Sequence, residues 1–158
     1  MNTPRQTTRP PLLEVRDLSL SFHLQEQIAV DRVSLSIRYG STLGLVGASG
    51  AGKSSIARAI LQLVKPDSGE ILFKGKNIFQ MNPLELKASR QRIQLVFQDP
   101  SASLSPRRTV EQTLLEPLQH FTIGDAKFRR KKLLQILDTV GLDQRALKRY
   151  PHQFSSGQ

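Results

Sequence analysis

Residues 47–54 read Gly47-Ala48-Ser49-Gly50-Ala51-Gly52-Lys53-Ser54, a G-x-x-x-x-G-K-[ST] spacing with a second serine, Ser55, behind it. The pattern suits a phosphate chain. Glycines let successive backbone N–H groups turn inward around an anion, and a helix that follows adds the positive end of its dipole. Lys53 then sets an ammonium on the outer phosphates, and the Ser54 hydroxyl can ligate Mg²⁺. A flexible glycine turn in front of a lysine is the bland alternative. Chance produces the full spacing in only on the order of one chain of this length in a few hundred, given ordinary glycine usage. Residues 47–55 are therefore the candidate site for a nucleotide's phosphates.

Such a loop works only if a strand delivers it and a helix receives it. Thr42-Leu43-Gly44-Leu45-Val46 reads as a buried strand entering the loop, and Ile56, Ala57, Ile60, Leu61 and Val64 have helical spacing after it. Lys65-Pro66-Asp67-Ser68-Gly69 closes that helix, because proline cannot continue it. Upstream, residues 1–11 read as a disordered lead-in, Leu12–Val15 begins a first strand, and Val33–Ile37 alternates like a half-buried antiparallel strand before a turn at Gly40. Downstream, Glu70–Phe73 and Lys74–Asn77 suggest a strand and a tight turn. Asn82 caps a short helix over Pro83–Ser89, and Ile93–Phe97 is a further strand. After a loop from Pro100 to Pro106 the texture turns helical: Thr109–Leu118, Asp125–Val140 with Gly141 past its end, and Asp143–Arg149.

Bulk composition narrows the classes. At 158 residues the chain suffices for one ordinary domain. No run approaches the ~18 apolar residues of a spanning helix, and no apolar stretch follows MNTPRQTTRPP to make a secretory signal. Cysteine is absent, which excludes disulfides and thiolate metal sites and suits a reducing cytosol. The net charge of +10 is compatible with nucleic acid, anionic lipid or polyphosphate. Trp is absent and aromatics make up 6%, with no aromatic–basic interleaving to stack bases, so no nucleic-acid partner is expected. The densest run, Arg129-Arg130-Lys131-Lys132, reads as a solvated helix face.

Other segments resemble the ATP-binding domain of ABC transporters. Val96-Phe97-Gln98-Asp99-Pro100 is similar to the Q-loop, and Ser101-Ala102-Ser103-Leu104-Ser105-Pro106-Arg107 continues it in the manner of di- and oligopeptide importers and their nickel-transporting relatives. Phe154-Ser155-Ser156-Gly157-Gln158 resembles the signature motif, preceded by Tyr150-Pro151-His152-Gln153 in the same style, and Leu43–Gly47 matches this group too. The resemblance covers the chain from about residue 12 to its end. It implies an α/β P-loop NTPase of the ABC ATPase type: an antiparallel β portion and a RecA-like core, incomplete here, over residues 12–98, then a helical subdomain over 99–158. The cofactors implied are ATP and Mg²⁺, the metal held by Ser54 and sensed by Gln98, which also reaches the attacking water. Ser155, Gly157 and Gln158 would meet the γ-phosphate of ATP held on an opposing ATP-binding subunit. Phe22 lies where an adenine-stacking aromatic belongs, or is a core residue at a strand end. The implied partners are a second ATP-binding subunit and transmembrane permease subunits facing segment 98–110 with Arg107-Arg108, and indirectly a substrate-binding protein. The implied location is cytoplasmic, on the inner face of the cell membrane, and the implied work is import of peptides or nickel.

Two departures accompany the resemblance. Ser156 stands where the signature usually has glycine, which should weaken the phosphate contact while Ser155 and Gly157 retain it. The sequence ends at Gln158, before the family's Walker-B aspartate, catalytic glutamate and switch histidine. The expectation is a partial form that binds nucleotide poorly and does not hydrolyse it, since no group positions the water. His120 and His152 are weak substitutes. Two alternatives remain at this level: a non-catalytic nucleotide-binding interaction module, and another P-loop NTPase or kinase using Asp99 as its Walker-B aspartate.

Overall fold

The computed structural model describes residues 10–22, 27–99 and 103–155. Leu13 and Val15 sit at odd positions and Leu18 and Leu20 at even ones, yet all four are buried in one core. A regular strand alternates faces and cannot do this. Strand β1 (Leu13–Phe22) resolves the conflict with an irregularity between Val15 and Leu18, where Asp17 takes φ 44° and switches the parity. The Asp17 amide donates to Ser34 Oγ at 2.8 Å, and Ser34 Oγ donates to Asp17 Oδ1 at 3.1 Å. Strand β2 (Gln27–Ile37) pairs antiparallel with β1, placing Leu13 opposite Ile37, Val15 opposite Leu35 and Leu20 opposite Val30.

On its other edge β1 pairs antiparallel with β3 (Ser68–Phe73), which turns through Lys74 and Gly75 into β4 (Lys76–Asn77). The sheet order is β2-β1-β3-β4. Gly69 lies against the β1 irregularity, where a Cβ would stand 2.5 Å from the Asp17 carbonyl oxygen, so only glycine fits. One face of the sheet is covered by helix α1 (Lys53–Ile60), whose Ile56 and Ala59 join the core with Ile71, Phe73 and Ile78. The helix ends at Ile60, short of the Val64 that the spacing predicts and before Pro66 is reached. Gln62 takes φ 57°, its amide donates to the Ala59 carbonyl at 2.9 Å, and the Leu63 amide donates to Arg58 at 2.9 Å, a Schellman closure without glycine.

Helix α2 (Pro83–Arg90) begins at Asn82, whose side chain accepts from the Leu84 and Glu85 amides while Glu85 accepts from the Asn82 amide in return. Lys76 Nζ donates to Glu85 Oε1 at 2.6 Å and is the main cause of a lowered Glu85 pKa, with the Asn82 amide second.

The chain divides into two compact units, Met1–Gln94 and Leu95–Gln158. In the second, helix α3 (Val110–His120) starts at a Thr109/Gln112 capping box, and α4 (Ala126–Thr139) starts at Asp125. Leu133 and Leu137 of α4 form a small core with Ala146 and Leu147 of a 3₁₀ segment, Gln144–Lys148, which replaces the α-helix expected after Asp143. A second 3₁₀ turn, Pro151–Gln153, follows. Among the described residues no helix is long and apolar enough to cross a membrane.

The expected strands at Thr42–Val46 and Ile93–Phe97 are corrected by the structure. Neither segment forms a strand ladder among the described residues. Val46, expected to be buried, is 95% exposed, and Val96 is 85% exposed. The lead-in expected over residues 1–11 falls outside the described residues except for Pro10 and Pro11.

Candidate functional site

The phosphate-type loop is positioned from both sides within the first unit. At its end Gly52 has φ 81° and is buried against β2, where a Cβ would lie 2.1 Å from the Ala29 carbonyl oxygen and 3.0 Å from Val30 Cγ2. No side chain fits there. Helix α1 begins at the next residue, with the Ile56 amide donating to the Gly52 carbonyl at 2.9 Å as its first turn closes. Because Ile56 and Ala59 anchor α1 in the core, the loop is held by strand backbone on one side and by helix packing on the other.

Gly50, at φ 82°, makes the turn inside the loop, and the Ala51 amide donates to Ala48 at 3.2 Å. Among the described residues the amides of Lys53, Ser54 and Ser55 have no internal acceptor. Gly52 supplies no side-chain cap, and α1 has no acidic residue in its first turn. The positive end of the helix is thus uncompensated, which is the electrostatic setting for an anion. Ser54 is exposed, whereas Ser55 is buried at 8% exposure beside the core.

Lys53 is folded onto its own loop. Its Nζ donates to the carbonyl oxygens of Gly47 at 2.8 Å and Ala48 at 2.6 Å. These two bonds bridge the start and the end of the loop. The donor set fits a polyphosphate: free amides, a cation and a hydroxyl, with no carboxylate in the first turn to repel the ligand. It fits Mg²⁺ through the exposed Ser54 hydroxyl, a hard oxygen donor of the kind that ion takes. Among the described residues no cluster of three His, Asp or Glu side chains forms a self-sufficient metal site.

The remaining sequence-derived candidates lie outside residues 47–55 in the sequence. Gln98 and Asp99 sit exposed at a bend in the second unit. Ser155 is exposed just after the Pro151–Gln153 turn, and Gly157 and Gln158 lie outside the described residues. Phe22 is the last residue of β1. His120 and His152 are both exposed, and each meets an aromatic ring: His120 edge-on to Phe121 at 4.8 Å, and His152 stacked on Tyr150 at 5.7 Å. The contribution of Ala29 was not legible from sequence, because its backbone carbonyl acts and its side chain carries no signal. The only hint lay on the other side of the contact, in the glycine at position 52.

A sequence model of the family described as ABC transporter matches residues 30–158. The oligopeptide transport ATP-binding protein AppF of Bacillus subtilis (strain 168) is 41% identical over 157 residues, covering 93% of this chain and 48% of that protein. The glutathione import ATP-binding protein GsiA of Escherichia coli (strain K12) is also 41% identical, covering 94% of this chain and 25% of that protein. The chain thus spans about half the length of one relative and a quarter of the other. Among solved structures, the dimeric, post-hydrolysis ATP-binding cassette MJ0796 bound to ADP and Pi superposes with a TM-score of 0.74 at 28% identity, over 92% of this chain and 64% of that one. CbiO1 of Clostridium perfringens, at 24% identity and a TM-score of 0.73 over 94% of this chain and 57% of that one, shares the fold.

Proposed function

The chain belongs to the ABC transporter family, and on that premise we propose that it is the ATP-binding part of an importer's cytoplasmic ATP-binding subunit. The loop at the start of α1 carries the reading, with its open first-turn amides and with Lys53 held on the Gly47 and Ala48 carbonyls. When the phosphates of ATP enter, Lys53 Nζ exchanges those two carbonyls for phosphate oxygens. The open amides of Lys53, Ser54 and Ser55 donate to phosphate oxygens, whose negative charge the helix terminus already favours. Ser54 would hold Mg²⁺, whose charge would offset that of the phosphate oxygens. Because Gly52 is fixed against Ala29, the loop is largely in place before the ligand arrives.

Gln98 takes the sensing role by resemblance, and family membership favours that reading over Asp99 as a Walker-B aspartate. Ser155, Gly157 and Gln158 would face the nucleotide of a second ATP-binding subunit, so that two subunits enclose ATP between them. The dimeric cassette with the same fold supports this arrangement. Permease subunits would receive the resulting motion across segment 98–110, on the inner face of the membrane. Both relatives are named for peptide solutes, which favours peptide over nickel as the cargo.

The pairing is testable by mixing the chain with a full-length ATP-binding relative. Co-elution in ATP and Mg²⁺ that is lost without nucleotide, and weakened by Ser155→Ala, is the expected result. Association that ignores ATP would contradict the subunit reading.

A further inference from the structure

The charges of α4 run against the preference of a helix. Lys127, Arg129, Arg130, Lys131 and Lys132 crowd its first two turns, with no acid in the first turn and no base in the last. The helix dipole favours the opposite distribution, so these cations oppose local stability, and such conflicts point to a use elsewhere.

Two of the cations have structural work. Arg130 Nη1 donates to Glu111 Oε1 at 2.7 Å, and Arg129 Nε donates to the Ile123 carbonyl at 2.9 Å. Lys127, Lys131 and Lys132 are exposed and have no ion pair among the described residues. Helical spacing groups Lys127 with Lys131 and Phe128 with Lys132. This face lies opposite Leu133 and Leu137, which fill the core. Phe128 is 49% exposed, and its ring lies over Gly124, where a Cβ would meet Cδ1 at 2.2 Å. Ile123, next to Gly124, is 38% exposed.

We propose that this face of α4 is a contact surface for an anionic lipid bilayer. The three lysines sit over headgroup phosphates, and Phe128 and Ile123 enter the boundary between headgroups and acyl chains. A half-exposed aromatic flanked by unpaired lysines matches that boundary in both charge and polarity. Nucleic acid is less well matched, since the face offers neither a free guanidinium for bidentate contacts nor a row of stacking rings. The proposal rests on the importer reading only for bringing the chain near a membrane, and the contact itself requires no nucleotide.

The test is co-sedimentation of the 158-residue chain with phosphatidylcholine vesicles, with and without phosphatidylglycerol, at low and high salt. Binding only to the anionic vesicles, weakened by salt, is expected. Each lysine should contribute about fivefold, so Lys127→Ala/Lys131→Ala/Lys132→Ala lowers partitioning about a hundredfold. Phe128→Ser should lower it at both salt levels. A control, Lys65→Ala/Lys87→Ala/Lys148→Ala, removes the same charge from exposed positions elsewhere and should retain most of the binding. Equal binding to neutral vesicles, an equal loss in the control, or binding to RNA but not to vesicles would each overturn the proposal. Circular dichroism confirms that the variants fold. ATP titration of the same variants, expected to be unchanged, separates failure here from failure of the nucleotide reading.

Discussion

At the scale of single residues, the site depends on one contact between backbone atoms. Gly52 is where it is because the loop must turn at positive φ while pressed on the Ala29 carbonyl. Gly52→Ala adds a carbon 2.1 Å from that oxygen in a backbone region costly for alanine. Clash and strain together should cost at least about 2 kcal/mol. Thermal unfolding should fall by several degrees, and ATP binding should become undetectable. A variant that melts and binds like the parent would show that the Ala29 contact does not position the loop. The candidate loop could be picked out in the sequence because Gly47–Ser54 carry the motif in identity and spacing. The Ala29 contact was hidden because backbone atoms are common to every residue.

At the scale of elements, legibility followed locality. Helix starts could be read because caps are local: Asn82, Thr109 and Asp125 each accept from an amide of the turn they open. Helix ends were less legible, since Gln62 and Thr122 take positive φ without being glycine. The β1 irregularity is written in the spacing of Leu13, Val15, Leu18 and Leu20, although only the sheet register reveals it as a parity change at Asp17. Thr42–Val46 and Ile93–Phe97 show the limit. Their apolar runs state a preference for strand, but a strand exists only where another backbone completes its ladder. Hydrogen exchange should therefore separate the two kinds of segment. Amides of Val15, Leu20 and Ile71 should be strongly protected, and those of Leu43–Val46 and Gln94–Phe97 should exchange near the open-chain rate. Equal protection would mean that these runs are paired in solution.

At the scale of the whole molecule, two units each carry a hydrophobic core, one around the β1–β3 sheet and α1, the other around α4 and the Gln144–Lys148 turn. The strand-rich first part and helical second part were legible from periodicity. Family membership drew on ordered motifs spread over both units, which no single unit displays. The net charge of +10 is also a property of the whole chain; locally it resolves into cations with distinct duties, from Lys53 on its loop to the unpaired lysines of α4. On the proposed function, the loop before α1 binds the phosphates of ATP through Lys53. Calorimetric titration of Mg²⁺–ATP into the parent chain and into Lys53→Ala tests it most directly. Loss of the charge-assisted bonds should weaken binding about ten- to a hundredfold, with melting in the absence of nucleotide little changed. Equal affinity in the two proteins, or no heat of binding in the parent at millimolar ATP, would contradict it.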